Sequence, residues 1–63
     1  MPKATVAGLK RCIKAARGDQ VKIQECEADF ERDGGTKGTE EGGKVFTDPD
    51  GGEVFVTTGG KVF

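Results

Sequence analysis

The sequence predicts an α+β fold: one N-terminal α-helix packed on a three- to four-stranded antiparallel β-meander, with the core completed by homodimerisation. Three observations predict it. Residues 3–17 carry apolar side chains at helical spacing, the pentads GGKVF, GGEVF and GGKVF recur through residues 42–63, and the strands so formed are apolar on both faces. Sixty-three residues make a single small domain, 1–63. A chain of this length buries only about 60% of its unfolded surface. Its large apolar residues are Met1, Val6, Leu9, Ile13, Val21, Ile23, Phe30, Val45, Phe46, Val54, Phe55, Val56, Val62 and Phe63. That is a thin core for one monomer, and it favours sharing between copies.

The first element spans 3–17. Val6, Leu9, Ile13 and Ala16 fall at i, i+3, i+7 and i+10, one face of a helix. Pro2 suits the first turn, Thr5 can cap a slightly later start, and Gly18 is placed to end the helix in a left-handed conformation. Gly8 is unfavourable inside a helix by about 1 kcal/mol, so it is read as a point of close backbone packing.

Residues 20–32, QVKIQECEADFER, admit two readings. Val21 and Ile23 alternate as in a strand, and Cys26, Ala28 and Phe30 alternate in the other phase, which a bulge near Glu25 would reconcile. The rival is a second helix with Asp19 as N-cap and Ile23, Cys26 and Phe30 as its apolar stripe. The β-favouring VKI tips the expectation towards the bulged strand. Residues 33–43, DGGTKGTEEGG, hold five glycines and no apolar side chain, and read as a Gly-rich mobile loop or the flap of a wide hairpin.

The β-meander follows at 44–63. Asp48-Pro49-Asp50-Gly51 and Gly59-Gly60 are turn sequences. A four-residue loop at 49–52 pairs Phe46 with Phe55 and Val45 with Val56. A two-residue loop at 59–60 pairs Thr57 with Val62 and Val56 with Phe63. One face then carries Val45, Thr47, Val54, Val56 and Phe63, the other Phe46, Phe55, Thr57 and Val62. A single helix covers one face, so an apolar face is left over as an interaction site. The expected oligomer interface is Phe46, Phe55, Val62 and Phe63.

The missing residue types exclude much chemistry. Histidine and serine are both absent, which removes the usual general base and every Ser–His or Cys–His arrangement. Two cysteines fourteen apart do not make a zinc site. The acids around Pro49 do not match a calcium loop, so Asp48 and Asp50 read as turn formers. Gly43-Lys44 and Gly60-Lys61 open strands rather than a helix, unlike a phosphate loop. No enzyme activity, cofactor or metal is expected. With no apolar run for a membrane span or leader, the chain reads as cytoplasmic, with Cys12 and Cys26 as free packed thiols.

Charge is divided unevenly. Residues 1–18 hold Lys3, Lys10, Arg11, Lys14 and Arg17 with no acid, while residues 19–63 hold all eleven acids against five cations. The basic set is a candidate partner-binding surface. A strand at 20–32 would line Glu25, Glu27, Asp29 and Glu31 along one edge as an acidic counterpart. The function expected is a non-catalytic protein-interaction module acting as a homo-oligomer, which binds or inhibits a macromolecular partner. A phage-type inhibitor of a host factor, its acidic half mimicking nucleic acid, is the sharpest version. The alternative is a nucleic-acid-binding accessory protein that uses the basic helix.

Overall fold

In the computed structural model, which describes residues 3–63, two helices cover one face of a three-stranded antiparallel sheet. Met1 and Pro2, counted above as core and first-turn residues, lie outside the described residues. Helix α1 is Val6–Ala16, later than 3–17 because Thr5 takes the N-cap and its hydroxyl accepts the Gly8 N–H at 3.0 Å. Gly8 itself is exposed, and a Cβ there would stand 2.9 Å from that capping oxygen. The glycine therefore makes room for the cap rather than for a neighbouring element. At the far end Arg17 (φ 49°) and Gly18 (φ 83°) both turn left-handed, and the chain reverses.

Residues 20–32 form a helix, not the bulged strand expected. Helix α2 is Gln20–Arg32, and the Asp19 carboxylate caps it by accepting the N–H groups of Val21 and Lys22. Its buried residues are Ile23, Cys26 and Phe30, at i, i+3 and i+7, whereas Val21 is 65% exposed. The β-branched opening loses because Val21 has nothing to bury against; the stripe that reaches the core has helical period. Cys12 and Cys26 face each other across the helical pair, Cα atoms 5.8 Å apart, and form a disulfide. The free thiols expected from the sequence are thus replaced by a covalent staple.

The loop expected at 33–43 also holds structure. Gly34 (φ 106°) ends α2, and Gly35 donates to the Phe30 carbonyl at 2.9 Å. Strand β1, Thr36–Glu40, then pairs with β2, Gly43–Thr47, and β2 with β3, Glu53–Thr57. Every residue of β1 is exposed. A strand without apolar side chains was invisible to hydrophobic patterning; backbone pairing to β2 holds it, together with a Lys37–Glu31 ion pair at 3.4 Å.

The register differs from the expected one by a single residue at both hairpins. Phe46 pairs with Val54 and Val45 with Phe55, because five residues (48–52) rather than four form the loop. Val56 bridges Val62, and Phe55 exchanges backbone hydrogen bonds with Phe63. A one-residue slip moves side chains between faces. The inner face therefore gathers Phe46, Val54, Val56 and Val62 against the helices. Leu9, Ile13 and Ala16 of α1 and Ile23, Cys26 and Phe30 of α2 complete the core with Ala4. The Phe30 and Phe46 rings meet edge to face at 5.7 Å.

Candidate interaction surfaces

The outer sheet face is built by the register. Gly38, Val45 and Phe55 lie opposite one another across the three strands, and Phe63 continues the row beside Phe55. Val45 and Phe55 are half-buried; Phe63 is 71% exposed. The Phe55 ring leans over Gly43, where an added Cβ would come within 3.0 Å of its Cζ. An aromatic laid over a strand glycine shields the backbone that glycine leaves open. Threonines 36, 47 and 57 flank the row with Glu40 and Glu53. Of the four residues expected at an oligomer interface, Phe55 and Phe63 are on this face. Phe46 is fully buried and Val62 packs against the core, both on the helix side. Val45 is the residue the earlier register missed.

The acidic row is rearranged by the helix. Glu27 and Glu31 are one turn apart and turn towards the sheet, where Lys44 (3.8 Å) and Lys37 (3.4 Å) meet them. Glu25 and Asp29 lie on the opposite flank of α2, and Asp29 pairs with Arg32 at 3.2 Å. No single edge of four carboxylates forms, since residues two apart in a helix diverge by about 200°. A groove of about 340 Å³ runs between α2 and the sheet past Ile23, Gln24, Glu27, Lys44 and Val56.

The basic set divides in two. Lys3 bonds to the Asp50 carboxylate, which raises the lysine pKa. Arg11, Lys14 and Arg17 are exposed on α1 and Lys10 is half-buried beside them, and among the described residues none of the four forms an ion pair.

Asp48 does more than form a turn. Its carboxylate accepts N–H groups from Val6 (3.1 Å), Asp50 (3.0 Å) and Gly52 (2.8 Å), so one side chain closes the β2–β3 loop and caps α1. The bond from Val6, then that from Gly52, pulls its pKa below the ordinary carboxylate range, against an opposing effect of desolvation. A contact between positions 6 and 48 has no local sequence signature. Because the folded pKa is depressed, the stabilisation is complete above the unfolded value of about 3.9 and is lost as pH falls below it. Melting wild type and Asp48→Asn from pH 7 to 2 is expected to show a constant gap down to about pH 4 that narrows below it. A gap independent of pH would mean that the ionised carboxylate contributes nothing.

Among the described residues, no helix is long and apolar enough to cross a membrane. No protein-family model matches the chain, and no curated protein and no solved structure matches it.

Proposed function

We propose that the chain is a small non-catalytic interaction module that self-associates through its outer sheet face and binds a macromolecular partner. The observation that carries this reading is the row Val45–Phe55–Phe63 on the side of the sheet away from both helices. A one-sided antiparallel sheet ordinarily turns polar side chains to water. Here the middle of the free face is apolar and only its margins are threonine and glutamate. Two copies stacked face to face about a twofold axis would bury the row against itself, the self-complementary arrangement that a dimer requires. The helices would then lie on the outside of the pair, leaving their charged surfaces available to a partner.

Sedimentation at high micromolar concentration tests the joint. The wild type is expected to be a dimer, and Phe55→Thr with Phe63→Lys to be a monomer whose melting temperature, at matched subunit concentration, falls only as far as the lost association requires. A monomeric wild type would end the proposal. Cytoplasmic residence fits this reading with one consequence. Cytosolic thiols are held reduced, so Cys12 and Cys26 would stand open there and the fold would rest on its core alone.

A further inference from the structure

We propose that the solvent face of α1 is a sequence-independent contact for the phosphate backbone of duplex DNA. Lys10, Arg11, Lys14 and Arg17 occupy two turns, and residues 3–18 hold no acid at all. Elsewhere in the protein several charges are spent on each other, as in Glu27–Lys44, Glu31–Lys37 and Asp29–Arg32. On α1 they are not. Cations near a helix C-terminus do offset its dipole. That accounts for Lys14 and Arg17 in the last turn and beyond it, but not for Lys10 and Arg11 or for the absence of any acid.

The scaffold beneath these charges is held in place. Thr5 and the Asp48 carboxylate fix the first turn, and the disulfide fixes the middle of α1 to α2. A phosphate contact therefore needs only side-chain ordering. From Lys10 to Arg17 the rise is about 10 Å, along which a duplex presents about six charges.

The class of nucleic acid follows from what the face lacks. It has no aromatic residue on which an unpaired base could stack, which disfavours single strands. It has no Asn or Gln for reading adenine, and four cations within two turns suit a contact to phosphates. A helix about 10–12 Å across fits the DNA major groove of about 12 Å but not the narrow groove of duplex RNA. None of this depends on the outer sheet face, which lies on the other side of the sheet, so binding and self-association are separable.

Fluorescence anisotropy with a labelled 20-base-pair duplex at 50 and 200 mM salt is the test. Four neutralised phosphates predict a slope of about −3.6, hence roughly a hundredfold weaker binding at the higher salt. The variant Lys10→Gln, Arg11→Gln, Lys14→Gln, Arg17→Gln should lose binding while its circular dichroism and melting match wild type. The pair Lys10→Gln, Lys14→Gln should halve the slope and serves if the fourfold variant is unstable. Lys22→Gln with Lys61→Gln should bind as wild type. The proposal is overturned by no binding at 50 mM, by wild-type binding in the fourfold variant, or by tighter binding to phosphatidylserine vesicles or duplex RNA than to DNA.

Discussion

Phe46→Ala is expected to unfold much of the protein at physiological temperature, whereas Phe55→Ala is expected to leave a folded chain. Phe46 is 0% exposed, at the centre of the core and edge to face with Phe30. Truncating such a phenylalanine costs about 3–5 kcal/mol. At about 0.05–0.15 kcal/mol per residue, a domain of this size has about 3–9 kcal/mol in total, so the loss takes a large part of it. The melting temperature should fall by at least about 12 °C, taking about 4 °C per kcal/mol as the lower bound. Phe55 faces outward, so its loss removes partial burial and the cover over Gly43, and should cost about 1 kcal/mol. Thermal melts at matched subunit concentration, low enough to keep both proteins monomeric, separate the two cases. Equal destabilisation by both substitutions would contradict the pairing of Phe46 with Val54 and restore the alternative register.

That pairing is also where sequence reading reached its limit. The α+β class, the helix at the N-terminus and the β2–β3 hairpin were all legible, because each rests on local periodicity or on strong turn residues. The pairing was not, since DPDGG can close as a four- or a five-residue loop. What decides between them is tertiary. The five-residue loop lets the Asp48 carboxylate collect Asp50 and Gly52 while it reaches Val6 on α1. It also puts Phe46, Val54 and Val56 on one face, where two helices can cover them. With one helix in hand, two half-apolar faces were equally acceptable. The second helix was the missing cover, and the stripe Ile23–Cys26–Phe30 was its signal.

Position 26 also bears on the helical reading of 20–32. As a strand, this segment would have given Cys26 no reason to meet Cys12. As a helix ending an αα-hairpin of three linking residues, it places the two cysteines on facing flanks at disulfide distance. The candidate surfaces were legible to different degrees. Cations on α1 follow from spacing alone, and Arg11, Lys14 and Arg17 stay exposed while Lys10 is half-buried. The acidic row depended on the wrong period and dissolved with it. The apolar outer face was anticipated in kind, but its membership changed to Val45, Phe55 and Phe63 because membership is a property of register.

Reduction of the disulfide should have the second large effect. Cys12 and Cys26 are 14 positions apart, and closing a loop of about that length restricts the unfolded chain by about 3 kcal/mol. Breaking it returns that freedom to the unfolded state, a shift of about two decades in the folding equilibrium. The core residues Leu9, Ile13, Ile23 and Phe30 still hold the helices together, so the reduced protein should fold, with a melting temperature lower by about 12–24 °C. Cys12 is on the exposed side of the helical pair while Cys26 is buried. A reductant should therefore reach the bond without global unfolding. Melts with and without a phosphine reductant check this, with Cys12→Ser, Cys26→Ala as the control that no longer responds. If the reduced wild type melted at the oxidised temperature, the staple would contribute nothing and the helical pair would owe its geometry to packing alone. If it failed to fold at all, the core would be too small for a monomer, and the stability of a reduced chain would have to come from association through the outer face. The two outcomes separate in one experiment, because the first leaves the melting transition where it was and the second removes it.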